Sequence, residues 1–234
     1  MRIKNYFSVV FIFLTFYCST AQPPRDSLQL CFKIKWNENN LELQKKYRSQ
    51  NDSIQLATFK FYVSAIAIEF TDKSTFIQKK SYHLINIENP RSLRIPVCTA
   101  ANKIVKNVMF TIGIDSLTSV SGALSGDLDA ANGMYWAWQS GFINFKIEGK
   151  SSSCKTLKNK FQFHIGGYLS PNYALRKVQL KPSDQLVENN TLMIQFDVAK
   201  LFNQIDLATT NSVMIPGNEA LKIADKVSKL FYLE

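Results

Sequence analysis

The chain has 234 residues, is 46% hydrophobic and carries a formal net charge of +10, enough apolar content for one ample globular core. Its lysines and arginines are scattered, with only short clusters such as Lys45-Lys46, Lys79-Lys80 and Lys155 to Lys160. No basic helix or arginine-rich tract gathers them, so surface solvation explains the charge better than a nucleic-acid partner. No GxSxG, HExxH, P-loop or GxGxxG pattern is present, which removes the motif-bearing hydrolase and nucleotide-binding classes.

Residues 1–21 read as a signal peptide. Met1-Arg2-Ile3-Lys4 is a basic start, Phe7 to Tyr17 an apolar run, and Ser19-Thr20-Ala21 a small-x-small cleavage site. The run is too short to span a bilayer, and Tyr17 before Cys18 is bulky where lipidation signals want a small residue. Cleavage after Ala21 leaves residues 22–234 as one domain, exported to the periplasm or the extracellular space, with no membrane span. It also removes Arg2 and Lys4, lowering the positive charge by two. Cys31, Cys98 and Cys154 survive. Alternation with Lys33 and Lys35 puts Cys31 on the polar face of its strand, and Cys98 and Cys154, both read as loop residues, are the pair expected to bridge. There is no CxxC spacing for a thiolate zinc site.

Period-two alternation dominates the rest. Leu28, Leu30, Phe32, Ile34 and Trp36 form one face of a strand, and Asn37 to Asp52 reads as a loop. Phe59 to Ile68 is apolar on both faces, which predicts a central strand. Asp72-Lys73 is a turn, short strands follow at Phe76–Gln78 and Tyr82–Ile87, and Asn89-Pro90 stops the second. Val105 to Asp115 alternates, whereas Ser116 to Asn132 suits a long excursion with one helical turn. Strands then follow at Phe142–Glu148, Lys160–Ile165, Ala174–Leu180 and Leu192–Val198, with a short helix from Ala199 to Asn203. Ala220, Ile223, Ala224, Val227, Leu230 and Phe231 have helical spacing, with Asn218 as cap. The expectation is an all-β fold: an antiparallel β-sandwich of about eight to ten strands with a C-terminal helix.

The stretch Gly133-Met134-Tyr135-Trp136-Ala137-Trp138-Gln139-Ser140-Gly141 concentrates aromatic surface, and the chain's two histidines, His83 and His164, flank it in sequence. The expectation is that these three places meet in space as a metal site. His83 shares a face with Ile85 and Ile87; His164 shares one with Gln162 and Lys160, opposite Phe161, Phe163 and Ile165. From composition alone each histidine reads first as a hydrogen-bonded strand residue. As a pair of imidazoles they suit copper, zinc or nickel, and a soft or aromatic neighbour shifts the choice toward copper. Met134, Trp136 and Trp138 share a face if extended, as ligand and ring candidates or as core. Asp127 to Gly133 fails the EF-hand pattern, because Ala131 and Trp138 stand at ligand positions, and reads as an Asx-turn loop. No catalytic residues are indicated.

Taken in order, Phe59 to Ile66, Tyr82-His83-Leu84-Ile85, Phe110 to Asp115, the Gly133–Gly141 block, Phe163-His164-Ile165-Gly166-Gly167 and Ala174-Leu175-Arg176 resemble the MbnP-like family of methanobactin-associated periplasmic copper-binding proteins. The resemblance implies an exported, non-catalytic β-sandwich that binds copper. It implies His83 and His164 as candidate ligands, Trp136 or Trp138 as a residue oxidised to kynurenine, and a di-haem peroxidase of the MauG type as partner; because copper(I) tolerates two or three ligands, Met134 or a kynurenine amine would complete the set chemically. The cysteines stand outside these blocks. A different class is a secreted module that binds a sugar or another flat ligand on Trp136 and Trp138.

Overall fold

The alternating stretches become strands throughout a computed structural model that describes residues 27–49, 52–99, 103–122, 124–139, 141–182 and 190–233. The expected signal peptide lies outside the described residues. In chain order the strands are β1 (Ser27–Trp36), β2 (Asn39–Asn40), β3 (Lys46–Ser49), β4 (Asp52–Phe70), β5 (Thr75–Ile77), β6 (Tyr82–Asn86), β7 (Arg94–Thr99) and β8 (Val105–Ile112). They continue as β9 (Tyr135–Trp136), β10 (Gly141–Ser151), β11 (Lys160–Gly166), β12 (Arg176–Leu180), β13 (Thr191–Asp197), β14 (Ser212–Val213) and β15 (Phe231–Leu233). Helices α1 (Ser116–Val120), α2 (Val198–Phe202) and α3 (Asn218–Ser228) fill the connections.

Two sheets face each other. The smaller runs β15-β13-β1-β2 with β7 also on β1; the larger runs β12-β8-β4-β10-β11-β14 with β3, β5 and β6 on the other edge of β4. The all-β expectation holds, but the sheets are mixed rather than antiparallel: β1 runs parallel to β13 and β11 to β14. These partners are far apart in sequence, so no hairpin dictates their direction. Cys31 is a second correction. Only 7% exposed, it is covered although it alternates with lysines.

Phenylalanines knit the sheets together. Phe32 of β1 meets Phe61 of β4 and Phe110 of β8 edge-on at 5.7 and 5.8 Å, and Phe231 of β15 closes on Phe110 at 5.5 Å, the geometry ring quadrupoles favour. Each fully buried ring contributes about 2–3 kcal/mol. Helix α3 lies against β11 and β12 with Ala220, Ile223, Ala224 and Val227 inward. Its cap is Gly217, not Asn218, which is the first helical residue.

Strand β4 organises the larger sheet. Phe61 pairs with Ile85 on one side and Phe145 on the other; two residues on, Val63 pairs with His83 and Ile112. Strands β10 and β8 therefore share one edge of β4 end to end and part beside Tyr62, whose carbonyl accepts from Gly113 N at 3.0 Å. Gly113 has φ +112°, and a side chain there would run into Asn144. Only glycine fits this junction.

Candidate functional site

Register on the larger sheet places one polar row on the face turned away from the sandwich core. Lys60 of β4 pairs with Asn86 on one side and Lys146 of β10 on the other, and Lys146 pairs with His164 of β11. Phe61, Phe145, Phe163 and Ile165, on the opposite face, belong to the main core. His164 is 7% exposed, and its Nε2 lies 2.6 Å from Glu148 Oε1. That hydrogen bond, more than the nearby Lys146, holds the Glu148 carboxyl down to about 2 against the opposing effect of burial. Thr58 Oγ1 donates to the other carboxylate oxygen at 3.2 Å.

The two lysines of the row clip down the loop that covers it. Lys60 Nζ donates to Asn132 O at 3.2 Å and Lys146 Nζ to Gly133 O at 3.1 Å. Asp127 ties the same loop to the sheet by accepting from Leu84 N at 2.9 Å, while its carbonyl accepts from Tyr62 Oη at 2.8 Å. Asp129 Oδ1 accepts from Ala131 N, as the Asx-turn reading expects. A second, smaller apolar cluster forms beneath the loop from Tyr62, Leu84, Ile114, Met134, Trp136 and Phe142 with their neighbours.

Trp136 is 5% exposed and lies over Gly166, two residues from His164 on the same strand face; a Cβ on Gly166 would stand 2.7 Å from Trp136 Cζ3. Its indole N–H is buried and has no hydrogen-bond partner among the described residues. Trp138 is 64% exposed, with its ring centroid 5.9 Å from that of Trp136. A flat ligand would therefore find only Trp138 to stack on. Met134 is wholly enclosed in the small cluster, which is the packing role.

The sequence blocks thus converge in part. The structure puts His164 on the same face of β11 as Gly166, where Trp136 rests, but His83 pairs with Val63, which puts it on the opposite face of the sheet from His164. Three strand spacings of about 4.8 Å also separate β6 from β11, roughly 14 Å across the sheet. One metal ion cannot bridge the two histidines, which corrects the expected two-imidazole site. His83 Nε2 instead lies 3.2 Å from Gln78 Oε1, and burial lowers its pKa despite the nearby Asp127. Among the described residues, no group of three His, Cys, Asp or Glu side chains is placed to hold a metal.

Glu148, Lys146 and Lys60 are site residues that sequence reasoning missed. The available signal was the β10–β11 hairpin: the alternation of Phe145, Ile147 and Gly149 set against Phe161, Phe163 and Ile165 puts Glu148 on the His164 face.

The molecule is thus a two-sheet β protein with a polar, tryptophan-capped centre on the solvent side of one sheet. Its sequence matches the MbnP family over residues 25–215, and the chain belongs to that family. Its fold is similar to the solved structure of MbnP from Methylosinus trichosporium, with a TM-score of 0.64 at 12% identity, covering 88% of this chain and 97% of that one. No curated protein matches the chain by sequence. No helix among the described residues is long and apolar enough to cross a membrane.

Proposed function

We propose that this chain is an exported, non-catalytic copper-binding protein in which His164 is the imidazole ligand and Trp136 the oxidisable residue beside it. The observation that carries this reading is the Glu148–His164 pair on the strand face where, two residues on from His164, Trp136 rests on Gly166. A carboxylate bonded to one imidazole nitrogen fixes the tautomer and leaves the other nitrogen for a metal, the usual arrangement around ligating histidines. Neutral imidazole suits copper. The residues fit a low-coordinate site in a second respect: the buried indole N–H of Trp136 has no partner among the described residues, an unmet polar group in a place where oxidation to kynurenine would supply an amine and a ketone as donors.

Two expected ligands leave the set. His83 lies on the wrong face, and Met134 serves the small cluster. Of the two tryptophans, Trp136 is the one beside the imidazole, while Trp138, exposed and 5.9 Å from it, stands where an external oxidant would make contact. A di-haem peroxidase of the MauG type is the partner this reading requires, in the periplasm or outside the cell.

The test is elemental analysis of mature protein from its native envelope, as wild type, His164→Ala and His83→Ala, with peptide mass spectrometry. Copper lost only in His164→Ala, with the kynurenine mass on Trp136, is the expected result. Copper retained without His164, or lost equally in both variants, would overturn the assignment.

A further inference from the structure

The same outward face carries a second polar row, past the point where β10 and β8 part. Ser64 of β4 pairs with Tyr82 of β6 and with Thr111 of β8, and Thr111 pairs with Lys177 of β12. Beside it the chain bulges. Between Ser64 and Ala67 the register with β8 shifts, and Ala65 adopts φ +49° in the middle of a 19-residue strand. A left-handed alanine inside a strand is strained, and such strain gathers where a surface is shaped for use. Here the bulge opens a cleft of about 410 Å³ over the row, within the size range of small-molecule sites.

The polar groups facing this cleft are donors. Thr111 is 8% exposed and lines the cleft, on the same row as Ser64, whose own hydroxyl donates to Gly113 O at 2.6 Å. Lys80 and Lys177 stand on the rim, and neither makes an ion pair among the described residues. The one carboxylate in the wall, Asp115, is already occupied by Tyr82 Oη at 2.5 Å and by the backbone and hydroxyl of Thr118 at 2.9 and 3.0 Å. Tyr82, Leu175 and Tyr173 supply apolar walls. Two ammonium groups against one carboxylate leave a single positive charge to be matched.

We propose that this cleft binds a small organic monocarboxylate with a flat apolar body, its oxyanion held by Lys177, Lys80 and the Thr111 hydroxyl. The site is separate from the His164–Trp136 centre, so it stands or falls independently of copper.

The experiment is an amide NMR titration of the mature chain with benzoate, using benzyl alcohol as the neutral counterpart. Saturable shifts centred on Ser64, Thr111 and Lys177, with at least tenfold weaker binding of the alcohol, are expected. Thr111→Val keeps the shape and removes the hydroxyl, and the surface double variant Lys80→Gln, Lys177→Gln leaves the fold untouched; each should weaken benzoate at least tenfold. No saturable shift, equal binding of the alcohol, or unchanged affinity in the double variant would overturn the proposal.

Discussion

Glu148 Oε1 stands 2.6 Å from His164 Nε2 across the β10–β11 hairpin, and this contact does most to hold the Glu148 carboxyl at about 2. The unfolded chain's glutamate titrates near 4.3. A carboxyl depressed in the fold stabilises it above the unfolded value and loses that contribution as pH falls toward the folded one. The full shift corresponds to on the order of 3 kcal/mol; partial exposure of the Glu148 side chain reduces this to about 1–2. Glu148→Gln should therefore lose about 1–2 kcal/mol at neutral pH and flatten the fall in stability between pH 4.3 and 2. Urea unfolding across that range checks it, and parallel wild-type and variant curves would refute it.

Gly166 gives the tryptophan cap its seat. A methyl group there would stand 2.7 Å from Trp136 Cζ3 and 2.6 Å from the Phe142 carbonyl, and the carbonyl belongs to the backbone and cannot swing aside. Gly166→Ala should cost about 2–3 kcal/mol through overpacking and lift the Trp136 ring from the sheet. The readout is a lower unfolding midpoint together with a second tryptophan becoming open to iodide, beyond the already exposed Trp138. An unchanged quenching profile would mean that the ring rests elsewhere.

His83 lies on the opposite face of the sheet from His164. Burial lowers its pKa despite the nearby Asp127, so the unfolded chain takes up a proton at a higher pH than the folded one. Stability attributable to His83 is complete above about 6.5 and is lost as pH falls from there toward the folded pKa. In a His83→Gln variant the stability profile just below about pH 6.5 should be flatter than wild type. A variant that keeps the full slope would place the titrating group elsewhere.

How much of this was legible in the chain depends on the link considered. Strands β1, β4, β8 and β11 follow directly from alternation, because each presents at least three apolar residues to one core. Strand β7 escaped, since Ile95 and Val97 alone alternate beside Arg94 and Pro96. Strand β15 escaped because Leu230 and Phe231 continue the helical spacing beyond Ser228, where α3 stops. The histidine geometry was within reach. His83 alternates with Ile85 and Ile87, and His164 alternates away from Phe161 and Phe163, so local parity already set one toward the core and the other away from it. What no local pattern supplied was the three-strand separation, which depends on the pairing of β4 with β6 and β10. Neither did it supply the seat of Trp136 on Gly166, a contact between distant segments.

The cysteines provide the last prediction, because the expected Cys98–Cys154 bridge is absent: Cys31, Cys98 and Cys154 are all free. Cys98 is not a loop residue but part of β7, opposite Leu28, while the Cys154 thiol is buried and donates to Leu207 O at 3.4 Å. Burial pushes the thiols of Cys98 and Cys154 up, so little thiolate forms at neutral pH and alkylation should be slow. Cys98 is the partly exposed member and should label first in the native protein, whereas Cys31 and Cys154 should react only after denaturation, one label at each of the three positions. Iodoacetamide labelling followed by peptide mass spectrometry gives the order directly. A Cys98–Cys154 crosslinked peptide in protein purified without reductant would show that the molecule brings β7 and the β10–β11 turn together, and would overturn the free-thiol arrangement.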